Sequence, residues 1–156
     1  MSSALLNTPP ESATAPMPVR RARGFAPRPV TLRSELAVPV LACGAELKST
    51  FCVAKGRHAF VSHHIGDLEN AETLRSFVDG IARFERLFDV TPEVVAYDPH
   101  PEYLSTKHAL DIDAVEHVAV QHHHAHIASC LADNGDAGPV LGVAFDGLGY
   151  GSVRCV

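Results

Sequence analysis

Short apolar runs of strand length recur along this chain from residue 36 onward, and longer segments with helical spacing separate several of them. The turn Lys55-Gly56-Arg57 joins two of the runs and predicts a β-hairpin, because glycine readily adopts the backbone conformations of tight turns. Compact apolar runs bounded by turn residues are typical of strands. The predicted strands are residues 36–43, 50–54, 58–62, 94–97, 115–120 and 140–145.

Three segments between these runs have the spacing of helices. In residues 70–88 the apolar side chains recur every three or four positions, which places them on one stripe that can pack against a sheet. Residues 103–110 and 123–134 are two further predicted helices. The predicted order is therefore three strands followed by three helix–strand units.

This order predicts an α/β fold. Three leading antiparallel strands followed by helix–strand units give a mixed sheet covered by helices. The same order is found in the ribonuclease H-like half-domain, which actin-like ATPases use in duplicate. Because the chain has no internal repeat, we expect one such half.

Proline is concentrated at the start of the chain, where residues 1–30 hold six of the eleven prolines. Such a composition buries too little apolar surface to offset the loss of chain entropy. We expect residues 1–33 to be a disordered, proline-rich tail and linker. The half-domain is predicted at residues 34–151, and residues 152–156 are predicted to be an aberrant tail.

Composition narrows the class of protein. The 46% apolar and 20% charged residues are typical of an ordinary globular domain, and the net charge of −5 disfavours nucleic acid as a partner. The apolar runs are too short to span a bilayer, and a secretory signal pattern is missing. The four cysteines form no C-x-x-C pair, which disfavours a zinc ribbon. We expect a cytoplasmic protein without a membrane partner.

A histidine-rich segment, His122-His123-His124-Ala125-His126, lies at the start of the third predicted helix. His122 and His126 are four residues apart, so a helix places both imidazoles on one face, where they can bind a divalent metal. The alternative is a polar helix start without a ligand. His123 and His124 are expected to face solvent or to support the ligands. The glutamate of the zinc-protease motif is missing, which disfavours a metal-dependent hydrolase.

A glycine-rich loop, residues 146–151, follows the last predicted strand. Alternating glycines let backbone N–H groups approach a phosphate closely, and an aspartate at the strand end could hold a metal or a metal-bound water. Glycine turns without a ligand are also common after strands. The predicted nucleotide or phosphate ligands here are Asp146, Gly147, Gly149 and Gly151.

Polar loops at other strand ends provide further candidates. Lys48 lies between the first two predicted strands, where an actin-like ATPase has its first phosphate loop, and would meet a phosphate as a point charge. His63, His64, Asp67 and His100 follow predicted strands, and open α/β sheets bind ligands at strand ends. These four are possible cleft residues. The alternatives are an ordinary hairpin turn at Lys48 and hydrogen-bonded loops or helix caps elsewhere.

Five ordered motifs spread over residues 20–151 together resemble the HypF carbamoyltransferases of nickel-iron hydrogenase maturation. Two of them are the histidine segment with the glycine loop and the entry Arg20-Arg-Ala-Arg-Gly-Phe-Ala-Pro. The others are Ala42-Cys-Gly-Ala-Glu-Leu-Lys48, Ser62-His-His-Ile-Gly-Asp-Leu68 and Asp98-Pro-His-Pro-Glu-Tyr-Leu-Ser-Thr106.

The resemblance implies the first half of the C-terminal carbamoyl-transfer domain of this family, which is similar to the tRNA threonylcarbamoyl-transfer enzymes. It implies that His122 and His126 bind iron or zinc. It also implies a carbamoyl-adenylate made from carbamoyl phosphate and ATP, whose carbamoyl group passes to the C-terminal cysteine of HypE. That group becomes the cyanide ligand of the hydrogenase iron.

Two departures from the family pattern stand near the end of the chain. Leu148 replaces the usual threonine, which removes a hydroxyl that could face a phosphate. After Gly151 the chain ends in Ser-Val-Arg-Cys-Val, where relatives continue with an Asp-Gly and a tryptophan-containing stretch. We therefore expect this chain to need the second half-domain, which contributes a further carboxylate ligand, and the other HypF domains.

A second hypothesis is a non-catalytic, histidine-rich metal-binding or scaffold protein in hydrogenase maturation. The two hypotheses differ in how the histidines act. A catalytic site needs His122 and His126 together, whereas a chelating scaffold would use all four histidines of the segment about equally.

Overall fold

The computed structural model of the protein describes residues 28–146 and 150, and the backbone alone of residues 19–21 and 24–26. From residue 40 to residue 134 the order of strands and helices is the one that the sequence predicts. The strands are β1 (Val19–Arg21), β2 (Gly24–Ala26), β3 (Val30–Thr31), β4 (Val40–Cys43), β5 (Phe51–Lys55), β6 (His58–Val61), β7 (Val94–Tyr97) and β8 (Glu116–Ala119). The helices are α1 (Ala71–Phe88), α2 (Leu104–Asp111) and α3 (His122–Asn134).

A six-stranded mixed sheet in the order β3-β6-β5-β4-β7-β8 forms the centre of the fold. The strands from β3 to β4 pair antiparallel, and β4, β7 and β8 pair parallel. Strands β1 and β2 form a separate antiparallel pair. The predicted α/β class and the mixed sheet with β4, β5 and β6 as leading antiparallel strands are confirmed. The finer ribonuclease H-like assignment stays a prediction.

The sheet begins earlier than the domain boundary predicted at residue 34. Val30 and Thr31 pair with Ala59 and His58 of β6, and the N–H of Leu32 donates to the carbonyl of Arg57. Both residues of β3 are β-branched, a side-chain type that suits strands. The predicted tail therefore contributes an edge strand to the sheet. Residues 1–18 of that tail and all of the predicted tail at 152–156 lie outside the described residues.

The strand predicted at residues 140–145 is wrong for the described part of the chain. These residues lie outside the sheet, where Leu141 is 96% and Phe145 98% exposed. The segment passes close to α3, since a Cβ on Gly142 would lie 2.6 Å from Ile127 Cγ1. A strand requires a hydrogen-bonded neighbour as well as an apolar sequence. The apolar sequence alone therefore predicted a strand that the structure does not have at these residues.

The hydrophobic core lies between α1, α2 and one face of the sheet. Phe51 of β5 is 1% exposed, and its ring meets those of Phe77 and Phe84 of α1 edge to face at 5.8 and 5.0 Å. Edge-to-face aromatic pairs stabilise a core beyond their buried area. Other members of the core are Leu41, Cys43, Val53, Leu68, Ile81, Val90, Val95 and Ala109.

Helix α3 occupies a different place from the other two helices. It follows β8 at one edge of the sheet and contacts β3 at the opposite edge, so it runs across the sheet. None of its residues is fully buried. None of the helices in the described part of the chain has the length and apolar character of a membrane span.

The close packing of α1 on β5 generates a test of the core. A Cβ added to Gly80 would lie 2.9 Å from Cε1 and 3.3 Å from Cζ of Phe51, whose side chain is buried in the core. Alanine is about 1 kcal/mol better than glycine inside a helix. We still expect Gly80→Ala to lower the free energy of unfolding by about 1–3 kcal/mol in urea denaturation, because overpacking outweighs helix propensity.

The matched control is Ser76→Ala in the exposed part of the same helix. It should leave the free energy of unfolding within about 0.5 kcal/mol of the wild-type value. A Gly80→Ala protein more stable than the wild type would contradict this description of the core.

Candidate metal centre

His122, His126 and Asp146 form a cluster whose ligand atoms all lie within 4.8 Å of one another. Asp146 Oδ2 is 2.7 Å from His122 Nε2 and 3.3 Å from His126 Nε2. The two histidines are half-buried, and Asp146 is exposed. The predicted histidine pair therefore does share one helix face, and a carboxylate completes a set of three donors.

The parallel part of the sheet determines the position of His122 in this cluster. Strands β7 and β8 are parallel neighbours, so their carboxyl ends lie at the same edge. Asp98 follows β7 directly, and His122 opens α3 just after β8. The two side chains therefore approach each other across adjacent strand ends, as polar residues commonly do in open α/β sheets.

The side chain of Gln121 fixes the first turn of α3. Its Oε1 accepts a hydrogen bond from the N–H of His124 at 2.7 Å, which satisfies one of the free N–H groups at the helix start. The four-residue spacing then brings the rings of His122 and His126 to 4.9 Å between centroids. The capped helix start thus presents both Nε2 atoms to the same point.

The donor set suits iron or zinc. Imidazole nitrogen and carboxylate oxygen bind these metals at about 2.0–2.2 Å, so donors around one tetrahedral ion lie roughly 3.4 Å apart. Asp146 Oδ2 lies 3.3 Å from His126 Nε2, which is close to this value, and 2.7 Å from His122 Nε2, which is a hydrogen-bond distance. Three protein donors leave at least one coordination position for a further ligand. The described residues therefore fit a divalent metal.

Asp98 lies behind His122 on the side away from Asp146. Its Oδ2 is 2.7 Å from Nδ1 of His122, and its side chain is 6% exposed. The sequence placed Asp98 in a candidate cleft motif but did not predict this partner. The available signal was its position directly after a predicted strand.

His100 is the predicted cleft residue that the structure connects to this cluster. Its backbone N–H donates to Oδ1 of Asp98 at 3.0 Å. Its ring stacks on that of Tyr103 with 4.0 Å between centroids and meets the ring of Tyr150 edge to face at 5.3 Å. His100 therefore connects a group of aromatic rings to Asp98, the partner of His122.

Tyr103 lies close to several carboxylates. Burial raises the pKa of its phenol, and the nearby negative charges of Asp98, Glu46 and Asp146 raise it further. The ring of Tyr103 therefore stays protonated at neutral pH and can donate a hydrogen bond.

Glu46 is a connecting residue that the sequence did not single out. Its Oε2 accepts a hydrogen bond from the N–H of Leu104 at 2.8 Å, at the start of α2, where Tyr103 supplies no side-chain cap. A carboxylate at this position satisfies a free N–H group and interacts favourably with the helix dipole. Glu46 thereby joins the loop after β4 to the helix that supports the Asp98 loop.

The remaining predicted residues lie in two other loops, one after β4 and one after β6. The N–H of Lys48 donates to Oδ1 of Asp67 at 2.6 Å, so Asp67 stabilises a turn. The side chains of Lys48, Asp67, His63 and His64 are exposed. Within residues 28–146, no hydrogen bond or ion pair connects these four to His122, His126 or Asp146. Gly147, Leu148, Gly149 and Gly151 lie outside the described residues.

Comparison with known proteins identifies relatives over most of the chain. The family model of the HypF Kae1-like domain matches residues 35–133. The carbamoyltransferase HypF2 of Cupriavidus necator is 46% identical over 136 residues, which is 85% of this chain and 17% of that protein. The carbamoyltransferase HypF of Rhizobium leguminosarum bv. viciae is 48% identical over 138 residues, 88% of this chain and 18% of that protein. The chain thus spans less than a fifth of these relatives.

Two solved structures are similar over the same part of the chain. Full-length HypF in its phosphate- and nucleotide-bound form has a TM-score of 0.80 and 50% identity, covering 85% of this chain and 21% of that one. HypF of T. kodakarensis has a TM-score of 0.73 and 38% identity, covering 85% of this chain and 18% of that one.

Proposed function

The chain belongs to the HypF Kae1-like domain family, and we propose that it forms the metal-binding part of a HypF-like carbamoyl-transfer site. The observation that supports this proposal is the convergence of His122, His126 and Asp146 within 4.8 Å. The relatives named as carbamoyltransferases support the class of reaction. Asp146, predicted as a phosphate ligand, is here proposed as a metal ligand.

The three residues would hold iron or zinc through two imidazole nitrogens and one carboxylate oxygen. A divalent metal bound there supplies a Lewis acid that polarises a carbonyl or phosphoryl oxygen. The side chains of His126 and Asp146 are 40% and 39% exposed, so this side of the cluster is open to a substrate. The protonated phenol of Tyr103 provides a hydrogen-bond donor nearby.

The proposed substrate is a carbamoyl-adenylate made from carbamoyl phosphate and ATP. The acceptor is the C-terminal cysteine of HypE, whose thiolate attacks the carbamoyl carbon. A sulfur–carbon bond forms, the bond from that carbon to the phosphate oxygen breaks, and AMP leaves. The phosphate- and nucleotide-bound HypF relative supports a nucleotide in this family.

Other predicted ligands keep a place in this proposal by resemblance. Lys48 and the glycines at positions 147, 149 and 151 are proposed to contact the nucleotide phosphates. Further parts of a HypF-like protein, including a second half-domain with its own carboxylate ligand, are proposed to complete the site.

Metal titration separates this proposal from a histidine-rich chelating scaffold. Calorimetric titration of the chain with Zn²⁺ should show one site per chain. His122→Ala and His126→Ala should each weaken binding by more than about 100-fold, the upper limit for loss of an outer-shell partner. His124→Ala should leave the affinity unchanged, because this exposed residue contributes its backbone N–H to the helix cap. A similar gradual loss for all three variants would instead indicate a scaffold.

Carbamoyl transfer is best measured in a chimaera, because the chain spans a small part of its relatives. Residues 35–146 would replace the matching segment of HypF2 from Cupriavidus necator. With ATP, carbamoyl phosphate and a peptide ending in cysteine, mass spectrometry should detect a thiocarbamate on the peptide. His126→Ala should slow its formation by at least about 100-fold, since a Lewis acid contributes several kcal/mol to the transition state.

The control for this assay is His124→Ala in the same chimaera, which should transfer the carbamoyl group at the unsubstituted rate. Undiminished transfer by the His126→Ala chimaera would contradict the proposed metal site. No transfer by a folded, zinc-loaded chimaera would contradict the proposed reaction.

A further inference from the structure

We propose that Asp98 is a positioning residue that fixes which nitrogen of His122 faces the metal. This inference rests on the proposed metal site and adds a residue that acts through a ligand. Its carboxylate Oδ2 lies 2.7 Å from His122 Nδ1, while the opposite nitrogen, Nε2, lies 2.7 Å from Asp146. His122 is thus held between a buried carboxylate and the donor set.

A carboxylate ion can only accept hydrogen bonds, so Nδ1 of His122 must carry the proton in this pair. When a metal is bound between Nε2 and Asp146, the ring is neutral and its lone pair lies on Nε2, which is the nitrogen that points toward His126 and Asp146. The Asp98 carboxylate therefore selects the tautomer and the ring orientation that a metal at this cluster requires.

Asp98 is itself rigidly held. Its Oδ1 accepts the backbone N–H of His100 at 3.0 Å, and its backbone carbonyl accepts the hydroxyl of Thr106 at 2.6 Å. Prolines at positions 99 and 101 further restrict the loop. The Asp98 side chain is 6% exposed, and both its carboxylate and its backbone carbonyl accept hydrogen bonds. It therefore loses little further conformational freedom when His122 binds a metal. These contacts make Asp98 a preorganised support.

Burial adds to the strength of this contact. The hydrogen bond from His122 to Asp98 lies in a partly buried setting, where electrostatic contacts are less weakened by water than at the surface. A carboxylate on the outer nitrogen also makes a histidine a more basic ligand. Removal of such an outer partner typically lowers metal affinity by about 10- to 100-fold.

Asp98→Asn provides the direct test, because the amide keeps an oxygen for the His100 N–H but no longer offers a carboxylate to His122. We expect its Zn²⁺ affinity in calorimetric titration to fall by about 10- to 100-fold. Asp113→Asn removes an exposed carboxylate from the loop before β8 and should leave the affinity unchanged. Thr106→Val, which removes the hydroxyl that holds the Asp98 carbonyl, should give a smaller loss.

A second readout does not depend on whether Asp98→Asn folds. Nitrogen-15 NMR of the histidine rings in the zinc-loaded wild-type chain should show His122 bound through Nε2 and protonated on Nδ1. A purely structural role for Asp98 in its loop makes no such demand on the ring. His122 bound through Nδ1 would overturn the inference.

The outcomes also separate this inference from the proposed function. Wild-type Zn²⁺ affinity in a folded Asp98→Asn chain overturns the role of Asp98 and leaves the metal site intact. A wild-type chain that binds no Zn²⁺ overturns both.

Discussion

The parallel pairing of β7 with β8 is the constraint on which the candidate metal centre depends. It places the carboxyl ends of two adjacent strands at one edge of the sheet, so the residues that follow them lie close together. Asp98 follows β7 and His122 follows β8, and Asp98 Oδ2 lies 2.7 Å from His122 Nδ1. The rest of the site is built outward from this contact. Helix α3 adds His126 one turn later, and the segment after α3 returns Asp146 to the same point.

Much of this arrangement could be predicted from the sequence because it is local. The apolar stripe of α1, the hairpin of β5 and β6 and the four-residue spacing of His122 and His126 each depend on a few neighbouring residues. The contacts made by Asp98, Glu46 and Asp146 could not be predicted in the same way, because each joins segments that are far apart in sequence. Glu46 reaches the N–H of Leu104 across 58 positions, and no local pattern identifies such a partner.

The segment before Asp146 shows the limit of apolar patterning. Residues 140–145 have the composition of a strand, yet Leu141 and Phe145 are almost fully exposed in the described structure. Whether an apolar run becomes a strand depends on a neighbouring strand with free hydrogen-bonding groups, and that information lies elsewhere in the fold. Lys48 shows the converse case. The motif around Lys48 contributes to the family resemblance, but the local sequence does not predict its side-chain contacts with distant residues. These are the hydrogen bond from the N–H of Lys48 to Asp67 and the one from the N–H of Leu104 to Glu46.

The central claim is that one divalent metal is shared by His122, His126 and Asp146. Anomalous diffraction at the zinc edge, from crystals of the zinc-loaded protein, measures this directly. We predict one anomalous peak within about 2.0–2.2 Å of the two Nε2 atoms and a carboxylate oxygen of Asp146. A zinc ion bound instead by His123 or His124, or by the exposed His63 and His64, would contradict a metal site at His122, His126 and Asp146.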